Sequence, residues 1–157
     1  TWSKNSDTSD NKELLLNILV SDYGVKYNIL RILESKGCKV TVFPYDTTSE
    51  ELLNLNPDGI MLSPGPGDPE MLDHTTKITK ELVGRVPIMG ICLGNQILAK
   101  AFGGKTFKLH FGHRGGNHPV KDLQTGRIYI TAQNHGYAID PESLPPEIEE
   151  SVLDLDE

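Results

Sequence analysis

Four apolar segments of strand length alternate with segments of helical periodicity, and this alternation limits the folds that the chain can adopt. The apolar segments are residues 14–20, 38–43, 59–62 and 86–91. Near-continuous apolar runs are typical of parallel strands that are buried on both faces. Helices between successive strands are typical of doubly wound sheets. We therefore predict an α/β fold with a doubly wound, mostly parallel sheet.

Helix patterns fill the gaps between the apolar segments. Apolar residues recur at helical spacing in residues 29–33, 72–82 and 97–102. Gly37 follows the first of these segments at the position of a left-handed helix cap. Ser49 is predicted to cap a further, short helix. Each predicted strand is therefore followed by a predicted helix.

Short strands and turns replace this alternation after residue 104. Strands are predicted at residues 105–109, 120–123 and 128–131. Two polar segments, residues 113–118 and 133–137, are predicted as loops because they combine histidines, amides and glycines. We expect this part of the chain to form a small antiparallel appendage.

The charge distribution excludes some classes of function. The chain has 157 residues, enough for one compact domain, and a formal net charge of −7. From Asp140 onward there are eight acidic residues and no Lys or Arg, so residues 1–139 carry a formal charge of +1. A nearly neutral body with an acidic tail does not suit nucleic-acid binding. No apolar run reaches the length that crosses a bilayer, so we predict no membrane partner.

Residues 1–13 are mostly Ser, Thr, Asp, Asn and Lys, and they are predicted to be a flexible leader or linker. The folded domain is then expected to cover residues 14–157. The two cysteines, Cys38 and Cys92, stand in different sequence contexts, which fits a reducing compartment better than a disulfide framework. We therefore expect a cytoplasmic protein.

Residues 90–94 read Gly-Ile-Cys-Leu-Gly, the Gly-x-nucleophile-x-Gly pattern of a sharp strand-to-helix turn. Its glycines leave room where the strand and helix backbones crowd together. The N-terminus of the following helix would favour the thiolate of Cys92. A lone cysteine is more often a small buried apolar residue, and we assign that role to Cys38, which shares a strand face with Val40. We predict that Cys92 is a nucleophile.

A nucleophile that attacks a carbonyl group needs N–H donors for the oxyanion that forms. The backbone N–H of Leu93, directly after the nucleophile, is one candidate. The segment Gly65-Pro66-Gly67 is predicted to supply the other, because a residue without a side chain lets substrate approach the backbone. Residues 133–137 offer two amides, a glycine and an aromatic ring, which suit a polar zwitterion. The alternative for both segments is an ordinary turn.

Two segments match phosphate-binding motifs only in part. The segment that begins at Gly65 lacks the third glycine of a dinucleotide fingerprint, where Glu70 stands. Residues 104–106 lack the first glycine of a P-loop, since Ala99 occupies that position. We therefore predict no nucleotide cofactor in this chain. We also predict no metal site, because the histidines of residues 113–118 have no carboxylate or thiol nearby at ligand spacing.

Four segments resemble the class I, or triad-type, glutamine amidotransferases. They are residues 62–69 (Leu-Ser-Pro-Gly-Pro-Gly-Asp-Pro), 90–96 (Gly-Ile-Cys-Leu-Gly-Asn-Gln), 111–120 (Phe-Gly-His-Arg-Gly-Gly-Asn-His-Pro-Val) and 131–137 (Thr-Ala-Gln-Asn-His-Gly-Tyr). The first two are similar to many glutaminases of the class. The last two are most similar to the glutaminase domain of carbamoyl-phosphate synthetase small subunits. The similarity covers nearly the whole chain.

The resemblance implies a cysteine-dependent hydrolysis of L-glutamine. Cys92 would attack the side-chain amide and release ammonia, with Leu93 and Gly65 as the backbone oxyanion hole. The ammonia would pass to the large subunit or domain of carbamoyl-phosphate synthetase, to which ATP and magnesium would belong, for arginine or pyrimidine biosynthesis. The residues that match the family's glutamine contacts are Gly65, Gly67, Leu93, Gln96, Asn134, Gly136 and Tyr137.

This sequence departs from the family pattern in its catalytic partners. The family's general base is the His of a Gly-His-Pro-Glu-like segment, and no such segment occurs in these 157 residues. The resemblance therefore implies a domain that is truncated at its C-terminal end and is inactive or very slow by itself. One alternative is a non-catalytic glutamine-binding or docking module. Another is a cysteine hydrolase of a different class.

Overall fold

The computed structural model describes residues 15–154, and the predicted leader, residues 1–13, lies outside the described residues. The chain forms two compact units, one ending at Ala101 and the other beginning at Phe102. The assignment of residues 14–157 to one amidotransferase domain stays a prediction. No helix within residues 15–154 has both the length and the apolar character needed to cross a membrane.

The first unit is a four-stranded parallel sheet with four helices. Its strands are β1 (Leu16–Asp22), β2 (Cys38–Pro44), β3 (Gly59–Leu62) and β4 (Ile88–Gly90), in the order β2-β1-β3-β4. Its helices are α1 (Tyr27–Ser35), α2 (Ser49–Leu53), α3 (Asp73–Leu82) and α4 (Leu93–Ala101), and a 3-10 turn, Pro69–Met71, precedes α3. Because all four strands are parallel, their carboxyl ends lie at the same end of the sheet, where such folds place their sites.

Each face of this sheet has its own hydrophobic core. On one face, Leu19 of β1 and Ile60 of β3 pack against buried residues of α2, α3 and α4. On the other face, the next residues along the same strands, Val20 and Met61, pack against Leu30 of α1. Successive side chains of a strand point to opposite faces, which separates the two sets. Helices therefore cover both faces, and the predicted doubly wound parallel sheet is confirmed.

Some predicted element boundaries differ from the structure. The cap of α2 is Thr48, one residue before the predicted Ser49, because Thr48 and Glu51 form a reciprocal capping box. β4 is shorter than predicted, since it begins after Pro87, which has no N–H to donate to the ladder. Phe102 lies outside α4 and is exposed instead of completing its buried stripe.

The second unit is an antiparallel sheet made mainly of one long hairpin. β5 (Lys105–Asp122) pairs with β6 (Ile128–Asp140), and β7 (Val152–Asp154) pairs with the end of β5. A 3-10 turn, Pro141–Ser143, follows β6. The predicted antiparallel appendage is confirmed.

The prediction of polar loops at residues 113–118 and 133–137 is wrong, because both segments lie within the long strands of this hairpin. Two register shifts in β5, on either side of residues 113–115, let the strand continue with extra residues on one side of the ladder. Gly115, with φ +149°, supplies backbone freedom at one of them. The glycines of this segment therefore mark bulges, not the end of a strand.

Candidate active site

Cys92 lies in the short turn between β4 and α4 and has a left-handed backbone. β4 ends at Gly90 and α4 begins at Leu93, directly after the cysteine. The φ angle of Cys92 is +52°, and Asn56 is the only other non-glycine residue among those described whose φ is positive. Such a conformation costs an L residue about 1–2 kcal/mol. Strained residues of this kind concentrate at functional sites.

Close backbone contacts explain the two glycines around Cys92. A Cβ atom on Gly94 would overlap the carbonyl group of Leu62, the last residue of β3. A Cβ atom on Gly90 would lie 2.5 Å from the amide nitrogen of Asn95. Backbone atoms cannot move aside as the end of a long side chain can, so only glycine fits at either position. The sharp strand-to-helix turn predicted from residues 90–94 is therefore present.

The first turn of α4 is built on the carbonyl group of Cys92. This oxygen accepts hydrogen bonds from the N–H groups of Asn95 at 2.9 Å and Gln96 at 3.1 Å. Leu93 is the first residue of the helix, and an N–H group at that position has no acceptor within the helix. It belongs to the set of N–H groups with which helix N-termini bind anions. The N–H of Leu93 is thus suited to a developing oxyanion.

The two cysteines have different surroundings, and neither is in a disulfide. Cys38 packs against the cluster of Val40 and Met61 on the α1 face of the sheet, which confirms its predicted structural role. Both thiols are partly exposed, so exposure does not distinguish them. Cys92 differs in its left-handed backbone and in its place directly before the first residue of α4, which favours it as the reactive thiol.

The glycine segment after β3, residues 64–68, begins with a close contact to the turn after β1. The buried hydroxyl of Ser63 donates to the carbonyl of Pro64 at 2.9 Å and accepts from the N–H of Tyr23 at 2.9 Å. A Cβ atom on Gly65 would overlap the carbonyl oxygen of Tyr23. The start of the glycine segment is therefore packed too tightly for any residue but glycine.

Tyr23 provides the backbone carbonyl that packs against Gly65 and the N–H that donates to Ser63. Burial raises the pKa of Tyr23 to about 12, and side-chain hydrogen bonds with Ser21 and Thr79 act in the opposite direction. The phenol is therefore neutral at physiological pH. Sequence analysis missed both Tyr23 and Ser63, because a single tyrosine or serine after a strand has no distinctive spacing.

The structure brings the predicted site residues of the first unit to one end of the sheet. β3 and β4 are neighbours, and just beyond them the N–H of Ile91 donates to the carbonyl of Leu62 at 3.1 Å. The glycine segment with Gly65 and Gly67 follows β3, whereas Cys92 and Leu93 follow β4. Gln96 is buried within the first turns of the same helix, α4.

The other predicted glutamine contacts, Asn134, Gly136 and Tyr137, lie in β6 of the second unit. Asn134 is exposed and stands opposite Arg114 in the ladder, and Tyr137 stands opposite Lys108. All three positions lie in a strand instead of the predicted loop, with Gly136 at one of the register shifts of the ladder. Their role in binding stays a prediction.

A cluster of three histidines in the second unit was missed by sequence analysis. The ring centroid of His113 is 5.0 Å from the ring centroids of both His118 and His135. Gln133 Oε1 lies 3.1 Å from Nδ1 of His113 and 2.6 Å from Nε2 of His135. Strand register brings these rings together, which a loop prediction could not foresee. Within residues 15–154, no group of three or more His, Cys, Asp or Glu side chains could hold a metal ion.

Comparison with known proteins assigns the chain to a family. Residues 19–157 match the sequence model of the family Glutamine amidotransferase class-I. The match covers most of the chain, so the chain belongs to this family. The resemblance inferred from the four sequence segments is confirmed.

Relatives narrow the similarity within the family. The chain is 55% identical over 140 residues to the carbamoyl phosphate synthase small chain of Akkermansia muciniphila, covering 89% of this chain and 38% of that protein. It is 58% identical over 138 residues to the carbamoyl phosphate synthase small chain of Aquifex aeolicus, covering 88% of this chain and 37% of that protein. It is 48% identical over 156 residues to the chloroplastic carbamoyl phosphate synthase small chain of Arabidopsis thaliana, covering 99% and 36%. The chain therefore spans little more than a third of the length of these relatives, and its cytoplasmic location stays a prediction.

Solved structures support the fold. A Thermoplasma acidophilum protein named as a GMP synthase subunit is 23% identical, with a TM-score of 0.76 over 91% of this chain and 75% of that one. A glutamine amidotransferase of Thermotoga maritima is 18% identical, with a TM-score of 0.68 over 89% of this chain and 67% of that one. At these identities the likeness concerns the fold alone.

Proposed function

We propose that this chain is the glutamine-hydrolysing part of a carbamoyl phosphate synthase small chain. It releases ammonia from L-glutamine and passes the ammonia to a larger synthetase subunit, to which ATP and magnesium belong. Family membership and the identity to proteins of that name support this function. In this proposal Cys92 is the nucleophile, and Leu93 and Gly65 provide the oxyanion hole.

The proposed reaction runs through a thioester. The thiolate of Cys92 attacks the side-chain amide carbon of glutamine, and the electrons of the C=O bond move to the oxygen. The N–H groups of Leu93 and Gly65 stabilise this oxyanion. When the carbonyl re-forms, the C–N bond breaks, and the nitrogen leaves as ammonia after taking up a proton. Water then adds to the thioester, the C–S bond breaks, and glutamate and the thiol remain.

The observation that carries the proposal is the left-handed backbone of Cys92, with φ +52°, between two glycines that admit no side chain. A cysteine that only packs needs no such turn, and Cys38 illustrates this in a regular strand of the same chain. The turn brings the backbone of Cys92 directly before the first N–H groups of α4, which supports its proposed role as the nucleophile. This arrangement suits nucleophilic attack on a carbonyl followed by stabilisation of the oxyanion.

Complete turnover also needs a proton acceptor and donor. The resemblance assigns these roles to a Gly-His-Pro-Glu-like segment, which the 157 residues do not contain. Nucleophile and base act as a unit, so loss of the base slows the reaction greatly. We therefore expect this chain to form a covalent adduct at Cys92 but to release glutamate very slowly.

Covalent labelling tests the proposal. The chain is treated with an electrophilic glutamine analogue such as a chloroketone, with and without excess L-glutamine, and the modified peptides are quantified by mass spectrometry. We expect the analogue to label Cys92 and spare Cys38, L-glutamine to slow the labelling, and the Cys92→Ala substitution to abolish it. Iodoacetamide, which lacks the α-amino and α-carboxyl groups of glutamine, controls for general thiol reactivity. Equal labelling of both cysteines, with no protection by glutamine, would contradict the proposed function.

The sequence resemblance leaves one second candidate, a non-catalytic glutamine-binding or docking module. Calorimetric titration with L-glutamine separates the two functions when it is combined with an assay for glutamate. Glutamine binding without any adduct at Cys92 would favour the module. Slow glutamate release that disappears in Cys92→Ala would favour the enzyme.

A further inference from the structure

Lys100 connects α4, the helix that begins beside Cys92, to the end of the glycine segment. Its Nζ donates to the carbonyl of Pro69 at 3.0 Å. The same atom lies 3.3 Å from Oε1 of Glu70 and 3.6 Å from Oδ1 of Asp73. Pro69 and Glu70 begin the 3-10 turn that directly follows the glycine segment. One side chain therefore joins α4 to the residue that directly follows the glycine segment.

The side chain of Lys100 is far more buried than the two acidic side chains beside it. The side chain of Lys100 is 10% exposed, whereas those of Glu70 and Asp73 are 57% and 89% exposed. Ion pairs with exposed carboxylates contribute little because water competes for both partners. Pro69 is fully buried, so its carbonyl is the acceptor that holds Lys100 in place. Burial of a charged lysine destabilises the folded state unless its ammonium group is hydrogen bonded. A solvated surface lysine has no such requirement.

The glycine segment is thus fixed at both ends. Ser63 holds its start against the turn after β1, and Lys100 holds its end against α4. Between these anchors stand Gly65 and Gly67, the residue type with the greatest backbone freedom. Fixing both ends of so short a segment removes much of that freedom. Gly65 is held by its close contact with Tyr23, and the bond from Lys100 to Pro69 limits how the rest of the segment can move relative to α4.

We propose that Lys100 is a positioning residue for glutamine hydrolysis. It keeps the glycine segment in a fixed position relative to Cys92. This inference rests on the proposed function. Lys100 acts through the carbonyl of Pro69 and the segment before it, not on the substrate itself. Loss of the ammonium group releases the segment and leaves the strained turn at Cys92 in place.

Hydrogen exchange tests the positioning directly and does not depend on the function. The Lys100→Met variant keeps the apolar stem and removes the ammonium group, and Lys77→Met, at an exposed position of α3, is the matched control. We expect amides in the peptide covering residues 63–72 to exchange about tenfold faster in Lys100→Met, the effect of losing one charge-assisted hydrogen bond. Exchange in Lys77→Met should match the unmodified chain.

Labelling of Cys92 then connects the position of the segment to the site. In Lys100→Met we expect the glutamine analogue to react about tenfold more slowly, whereas iodoacetamide should react at an unchanged rate. Glu70→Gln keeps the bond between Lys100 and Pro69 and should change neither rate. Lys100→Arg, which keeps a charged donor, should recover part of the loss. This difference between the two reagents would not arise from a general loss of stability.

The outcomes separate the two proposals. Faster exchange together with slower analogue labelling supports the role of Lys100. Exchange equal to that of Lys77→Met, or analogue labelling that does not change, overturns it. If glutamine fails to protect Cys92 in the unmodified chain, the proposed function fails, while hydrogen exchange still decides whether Lys100 holds the segment. If Lys100→Met does not fold, Lys100→Gln replaces it and the same criteria apply.

Discussion

Substitution of Gly94 by alanine is the most direct test of how the turn at Cys92 is built. Gly94 is the second residue of α4, a position where alanine would normally strengthen a helix. In this protein the new methyl group would overlap the carbonyl group and Cβ of Leu62, a residue that is 1% exposed. The same carbonyl oxygen accepts the hydrogen bond from Ile91, so it cannot move away without loosening that bond.

These opposing effects can be weighed. Alanine in place of glycine in a helix contributes up to about 1 kcal/mol of stability. Overpacking of a filled site typically costs about 1–3 kcal/mol. Weakening the bond from Ile91 to Leu62 costs about 1 kcal/mol more. The free energy of unfolding should therefore fall by about 2 kcal/mol.

Urea unfolding followed by far-UV circular dichroism measures this change. Gly116→Ala is the matched control, because nothing lies within 4 Å of the position of its Cβ, and it should shift the free energy by less than about 0.5 kcal/mol. We also expect Gly94→Ala to slow labelling of Cys92 by the glutamine analogue. If Gly94→Ala is as stable as the unmodified chain, the close contact between α4 and β3 does not constrain the turn, and our account of the glycine pattern is refuted.

Two further predictions concern stability. Thr48→Ala removes the capping box of α2 and should lower the free energy of unfolding by about 1 kcal/mol, measured by thermal unfolding. The raised pKa of Tyr23, about 12 against a usual 10.0, means that the folded protein keeps this proton at a pH where the unfolded chain loses it. Stability from this group is complete below pH 10 and is lost as the pH rises to about 12, so urea titrations should show a decline in that range that Tyr23→Phe reduces. A decline of equal size in Tyr23→Phe would assign it to other groups.

The parallel sheet could be predicted because its sequence signals are local. β3 has the predicted bounds, Gly59–Leu62, because a short, continuous apolar run is typical of a strand buried on both faces. The hairpin was harder to predict, because histidines, amides and glycines in residues 113–118 suggest a loop when read one segment at a time. Pairing with β6, a contact between distant residues, keeps them in a strand.

The residues of the candidate site also differ in whether a local sequence pattern or a contact with distant residues reveals them. Cys92 and its glycines form a local pattern, so sequence alone identified the turn that the structure contains. Ser63, Tyr23 and Lys100 act through contacts with residues far away in the sequence, and their spacing carries no information about those contacts. A candidate nucleophile can therefore be found by its motif, whereas the residues that contact the neighbouring segment require coordinates.

At position 92, the left-handed backbone makes protein stability and the proposed chemistry favour different residues. Glycine would adopt this conformation without penalty, yet it has no thiol. A variant library ranked only by melting temperature would thus enrich glycine at residue 92 and discard the proposed nucleophile. Any programme to stabilise this protein should hold residue 92 constant and seek its gains elsewhere, for example at exposed positions of α1 and α3.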